Sequence, residues 1–366
     1  MALKILSLAN TPALNHLGSG YVIHNFNKGL QDQGYEVDFF GPEHFEVLSC
    51  LAPRARQYRL ALGMLRFVKK QLYQKEYDII EFWGGESFMA IKYLAGLTNR
   101  RFKIVHHTNG PEPKYESISR ALYPEKYRWY QFKRRRLMWP SFSLPDLVIT
   151  VSLDDKKWLE ERQLPKKGKV IAISPGLPDQ FIGLPFTVDR PKRIGFCGTW
   201  LPKKGVAVMQ AIIPNILRTY PDWRFTIIGQ PDTFQAANYF PQDILSQIEV
   251  IPFIRDKTEL IRQYQQLQIF FLPSIHESFG LVIPEAMACG CAVISSEVGF
   301  AHELENGQDA IVVSAYKERN FEQALRNLID NRVQRLQIAT SGYQKSQKLL
   351  WKNSIQKKSF FLNEII

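Results

Sequence analysis

The sequence predicts an α/β protein made of two doubly wound, parallel-sheet domains. Three observations carry that prediction. The chain opens on a strand, a glycine-bearing turn, a helix and a second strand between Lys4 and Phe40, the usual βαβ beginning of a doubly wound sheet. It starts afresh at Arg193, where RIGFC is followed by a glycine turn and an apolar helix. Between the two halves, residues 174–191 are rich in Pro and Gly, as a domain boundary should be. At 366 residues the chain also exceeds one typical core. The expected division is 1–180, 190–345 and a terminal helix at 346–366.

In the first half, Lys4–Ala9 reads as the opening strand. A loop with Pro12, Gly18 and Gly20 follows, then a helix over 21–33. Val22, Phe26 and Leu30 recur every four residues on one face, and Gly34 ends it. Glu36–Phe40 is the second strand. Gly18-Ser19-Gly20 is able to approach a phosphate closely, although glycines at such a turn more often simply make it. Residues 54–73 read as a basic helix and 77–83 as a strand. Gly84-Gly85-Glu86 lies at that strand's carboxyl end, where doubly wound sheets place ligands; Glu86 either meets an acceptor or faces water. A strand over 102–106 runs into His107-Thr108-Asn109-Gly110-Pro111-Glu112. Strands over 146–152 and 170–173 flank a helix at 153–161.

The segment 123–142, YPEKYRWYQFKRRRLMWPSF, mixes aromatics with cations. It fits a surface helix with wet cations, or a segment resting on an anionic membrane. No nucleic-acid module surrounds it, and none is expected.

In the second half, Arg193–Cys197 is a strand, Gly198–Gly205 a turn, and 206–220 an apolar helix. Strands follow over 223–228 and 249–253, the latter leading to Ile254. A helix at 257–266 precedes a strand–loop–helix–strand unit: 268–273, then 281–289, then 292–295. Pro284 is tolerated in the first turn of that helix, and Gly290 stops it. The amides of Ser278, Phe279, Gly280 and Leu281 lie at a helix start, a ready place for a phosphate or diphosphate. Glu277 and Glu285 flank it. Carboxylates beside a phosphate need hydroxyl partners, so Glu277 points to a hexose and Glu285 to a ribose. Lys204 is able to reach a diphosphate as a point charge. Residues 321–350 are helical by pattern, and 351–361 adds aromatics and lysines.

A formal net charge of +12 attracts anions without choosing among phosphorylated substrates, acidic membranes and nucleic acid. The four cysteines, Cys50, Cys197, Cys289 and Cys291, lack zinc-ligand spacing and read as buried thiols in a reducing compartment. No apolar run is long enough to span a bilayer, and MALKILSLAN is too short and too polar for a signal peptide. The expectation is a cytoplasmic protein, soluble or peripheral to a membrane.

E-S-F-G-L-V-I-P-E followed by A-M-A-C-G resembles the E-x7-E signature of retaining nucleotide-sugar glycosyltransferases of the family-four type. That resemblance implies the GT-B fold, with two Rossmann-like domains facing a cleft and a last helix crossing back to the first domain. It assigns Glu277 to the donor sugar, Glu285 to the ribose and the backbone near Ile254 to the base. It places Gly18, Ser19 and Gly20 against the donor across the cleft. Gly198–Gly205 is similar to the family's G-R-L-x-x-x-K-G segment: Lys204 matches, but Thr199 stands where Arg is common, and Lys203 is the candidate substitute. The family's strand-end His falls either on Asn109, which precedes Gly110, or on His107 or His106. Glu303 matches the end of a G-G-x-x-E turn whose second Gly is Phe300 here.

The activity implied is transfer of a sugar from a UDP- or GDP-sugar to an acceptor hydroxyl with retention. Polysaccharide, lipopolysaccharide or glycolipid synthesis is its natural setting, with glycan, lipid-linked or small-molecule acceptors. Charge gathering on the departing diphosphate would be met by helix amides and Lys204. No D-x-D pair is placed by any motif, so no obligatory metal or other cofactor is expected. A nucleotide-sugar epimerase or a phosphorylase on the same scaffold is the alternative, as is a non-catalytic nucleotide-binding protein at a membrane.

Overall fold

A computed structural model of the chain describes residues 2–14, 18–48, 50, 55–122, 137–313 and 317–366. Most of the basic segment 123–142 lies outside these. The chain divides into two compact units, Met1–Gly176 with Trp351–Ile366, and Leu177–Leu350.

The first unit is one parallel sheet of six strands: β1 Lys4–Ala9, β2 Glu36–Phe40, β3 Ile79–Trp83, β4 Lys103–Thr108, β5 Leu147–Thr150 and β6 Lys169–Ala172. Their order is β2-β1-β3-β4-β5-β6. The winding therefore reverses between β1 and β3, the switch point at which such sheets take ligands. β3 is buried along its whole length, as expected of a strand covered on both faces. Its helices are α1 Gly18–Asp32, α2 Arg56–Gln74, α3 Phe88–Ala95, α4 Glu112–Leu122, α5 Pro140–Ser143 and α6 Leu153–Glu160.

α1 begins earlier than its apolar period indicates. Gly18, Ser19 and Gly20 form its first turn rather than a loop. Gly20 is needed there because a Cβ would lie 2.6 Å from Leu14 N and 2.7 Å from Pro12 O, so the incoming chain passes too close for any side chain.

The second unit has β7 Arg193–Cys197, β8 Arg224–Gln230, β9 Ile248–Pro252, β10 Ile269–Leu272, β11 Ala292–Ser296 and β12 Ile311–Val313. The order is β12-β11-β10-β7-β8-β9, again parallel, with its reversal between β7 and β10. β12 is a three-residue edge strand, too short to announce itself by pattern. The helices are α7 Val206–Thr219, α8 Lys257–Gln265, α9 Val282–Ala288, α10 Glu318–Asp330 and α11 Arg332–Ser346. The apolar pattern over 321–350 resolves into two helices because Asn331 interrupts it, its side chain accepting from Gln334 N at 3.0 Å as the cap of α11.

The last helix, α12 Trp351–Ile365, belongs to the first unit and lies on α1. The Trp351 ring meets Phe26 at 5.1 Å and Tyr21 at 5.5 Å, both edge-on. Cys197, Cys289 and Cys291 are buried, but Cys50 is exposed, against expectation. Burial pushes the Cys197 thiol up to about 11 and the Cys291 thiol up to about 12, so both are poor nucleophiles.

Candidate active site

In the second unit, the loops after β7 and β10 meet at the winding reversal. Gly205 makes the meeting possible. It adopts φ 74°, and a Cβ there would fall 1.8 Å from Pro273 O. Ile275 N donates to Lys203 O at 2.8 Å, which joins the two loops. Lys204 Nζ then donates to Glu277 Oε1 at 2.7 Å, and Ser274 Oγ donates to the same oxygen at 2.7 Å. Both bonds use Oε1. The pair keeps a little solvent exposure, 16% at Lys204 and 11% at Glu277, so a ligand is able to reach it. Lys203 stands beside Lys204 and its pKa is lowered, first by desolvation and then by the Lys204 charge. Two ammonium groups side by side make an electropositive corner suited to an anion.

The loop from Ser278 to Leu281 is braced from behind. Gly280 turns it with φ 81°, and Phe300 N donates to Phe279 O at 2.7 Å. Phe300, where the related motif has Gly, is 1% exposed and packs on Phe279 at 5.2 Å. α9 behind this loop has only seven residues. Its dipole is correspondingly small, and the lysines carry more of the electrostatics than the sequence implied. Thr199 is exposed in the loop after β7, and Ile254 is half-buried in the loop after β9.

Glu285 is 4% exposed, and both oxygens are engaged: Lys257 Nζ donates to Oε1 at 3.0 Å and Tyr264 Oη to Oε2 at 3.2 Å. A carboxylate keeps further lone pairs, but not an open face.

In the first unit, the turn after β1 and the turn after β3 meet likewise. Asn10 Nδ2 donates to Glu86 Oε2 at 2.7 Å. Glu86 is therefore not a solvated loop acid; it is 9% exposed. Asn109 is half-buried at the end of β4, its Nδ2 3.5 Å from Ser19 O on the first turn of α1. Gly18 stands open beside it, with space where a Cβ would project.

His107 is a core residue, which corrects its assignment to the sugar. It is 0% exposed, stacked on Trp83 at 3.8 Å and set 3.5 Å from Glu81. Burial pushes its pKa down to about 4, so it is neutral near pH 7. His106 is equally buried against Phe142 at 4.8 Å and is pushed down to about 3, by burial first and then by His107. Of the strand-end candidates, Asn109 alone keeps access to solvent.

Sequence reading missed Ser274, Asn10, Lys257 and Tyr264. Lys257 and Tyr264 lie seven apart on α8, hence on one face, which was the available signal. Ser274 and Asn10 gave none, since only the folded loops reveal their partners.

Two doubly wound units with these strand orders define the GT-B class of glycosyltransferase folds. Sucrose-phosphate synthase from Thermosynechococcus elongatus superposes with a TM-score of 0.79 at 16% identity, over 99% of this chain and 99% of that one. HepE from Anabaena, solved in complex with UDP, superposes with a TM-score of 0.67 at 18% identity, over 99% and 100%. Residues 18–181 match the family model described as Glycosyltransferase Family 4, and residues 191–331 that described as Glycosyl transferases group 1. The chain belongs to the family-four glycosyltransferases. It is 23% identical over 235 residues to D-inositol 3-phosphate glycosyltransferase of Stackebrandtia nassauensis, covering 57% of this chain and 52% of that protein. The chain thus spans about half the length of the curated relatives it matches.

Proposed function

We propose that the chain transfers a hexosyl group from a UDP- or GDP-sugar to an acceptor hydroxyl, with retention at the anomeric carbon. The observation that carries this reading is the Lys204–Glu277 pair at 2.7 Å, placed at the winding reversal of the second sheet. In the free protein the two groups neutralise each other. An arriving diphosphate competes for Lys204, with Lys203 beside it. That exchange releases Glu277 Oε1 to accept hydrogen bonds from the sugar hydroxyls. As the diphosphate departs its charge grows, and Lys204 stabilises it more in the transition state than in the ground state.

Ser278, Phe279, Gly280 and Leu281 line the corner, and Ile254 stands on the base side with Thr199 in the neighbouring loop. Glu285 meets the ribose once Lys257 or Tyr264 yields one of its oxygens. In the first unit, Asn10, Glu86 and Asn109 form a polar strand-end group suited to a hydroxyl-rich acceptor. The relatives named for inositol 3-phosphate favour a polyol or glycan acceptor over an apolar one. Glycan or glycolipid assembly in the cytoplasm is the setting that fits. No helix of the described residues is long and apolar enough to cross a membrane.

The experiment is a transfer assay with UDP- and GDP-sugars against glycan, glycolipid and polyol acceptors, with the product anomer read by NMR. A glycoside of the donor's anomeric configuration is expected. Inverted product, or free sugar phosphate formed from a glycan with phosphate, would replace this reading.

A further inference from the structure

A pocket of about 120 Å³ opens on the second unit, lined by Thr187, Asp189, Arg190, Gln268, Arg332 and Arg335 among others. Gln268 precedes β10, and Gly290, also in its wall, precedes β11. Lys204 and Glu277 lie past the carboxyl ends of β7 and β10. The pocket is therefore at the opposite edge of the sheet from the Lys204–Glu277 corner.

Its charges do not balance. Three guanidinium groups face one carboxylate, Asp189. That carboxylate is 98% exposed and meets only Arg332, at 3.3 Å, among the ion pairs of the described residues. Such a surface pair contributes little. Arg332 and Arg335 both sit in the first turn of α11, which has no acidic residue there. Cations at that end of a fifteen-residue helix oppose its dipole. The buried partner is nonetheless held firmly. Arg335 is 8% exposed, and both its hydrogen bonds come from Nη1, to Leu328 O and Ile329 O. Arg190 is fixed through Nε to Thr187 O at 2.9 Å and Nη1 to Leu267 O at 3.2 Å. Guanidinium groups are thus positioned around a polar hollow before any ligand arrives. A site that breaks a local electrostatic rule in this way is a candidate for function.

We propose that this pocket binds a phosphate dianion, free or as the monoester head of a small metabolite. Arg332 and the open edge of Arg335 supply the planar, charge-assisted donors that phosphate oxygens prefer. The start of α11 adds favourable polarity, and an anion there relieves the repulsion between the two arginines.

The test is calorimetric titration of the full chain with inorganic phosphate in a phosphate- and sulfate-free buffer, with glucose 6-phosphate as a second arm. Arg332→Gln should weaken phosphate about tenfold, the loss of one charge-assisted contact. Asp189→Asn should tighten it about threefold by removing the competing carboxylate. Both side chains are exposed, so both variants should fold as the parent does. Lys204→Ala should leave this binding in place, which separates it from an anion held at the donor corner whatever that corner's role. Tighter binding of the ester would identify a metabolite ligand, and equal binding a free phosphate. Absence of binding at millimolar phosphate overturns the proposal. So does loss of binding in Lys204→Ala, or an affinity unmoved by Arg332→Gln and Asp189→Asn.

Discussion

Lys358 on the last helix and Glu81 on β3 form an ion pair at 2.6 Å, with side-chain exposures of 0% and 1%. The Lys358 ammonium also lies 5.1 Å from the Phe26 and Trp83 ring centroids. Burial alone would raise the Glu81 carboxyl, but Lys358 and then His107 outweigh it and bring it to about 2. A buried pair adds little net stability, yet removing one partner strands the other. Lys358→Met should therefore cost about 3–5 kcal/mol in urea unfolding, while adding Glu81→Leu should recover most of it. A single variant as stable as the parent would show that water reaches Glu81.

The same interior predicts acid sensitivity. His107 and His106 have folded values near 4 and 3, below their ordinary 6.5. Below pH 6.5 the unfolded chain binds more protons than the folded one. The stability contribution is therefore complete above about pH 6.5 and lost as pH falls through the folded values. Unfolding free energies from urea titrations between pH 7 and pH 4 should fall, with a slope of at most roughly 1.4 kcal/mol per pH unit for each imidazole. A flat profile over that range would show that both histidines are solvated.

Gly205→Ala should open the meeting of the loops after β7 and β10. The added methyl group would collide with Pro273 O at a backbone conformation that favours glycine. A loss of about 1–3 kcal/mol is expected, with weaker nucleotide binding even where the fold survives. Unchanged nucleotide affinity in a folded variant would separate the loop junction from the site.

Phe300→Gly would recreate the glycine pair of the G-G-x-x-E turn that this segment resembles. Because Phe300 packs on Phe279 behind the loop from Ser278 to Leu281, the change should destabilise the second unit by about 3–5 kcal/mol. A neutral effect on thermal unfolding would mean that the turn tolerates either residue.

The strand-ends were legible because β7 and β10 follow local rules: an apolar run, then Gly198 after β7 and Pro273 after β10. Glu277 and Lys204 were legible as residues, but not as a pair, since 73 positions separate them. His107 misled because a strand-end position does not reveal which face is covered; α1 and the returning α12 bury it between Phe26 and Trp83. Lys358 offered no signal at all, because lysines on a helix ordinarily stay in water.

In the proposed reaction Lys204 exchanges Glu277 for a diphosphate, and Glu277 then holds the sugar. Calorimetric titration with the nucleoside diphosphate, then with its sugar conjugate, tests it directly. Lys204→Ala should weaken both ligands by roughly ten- to a hundredfold. Glu277→Ala should bind the bare diphosphate as well as the parent or better, while losing the extra affinity for the conjugate. Parental affinities for both ligands in both variants would contradict the account.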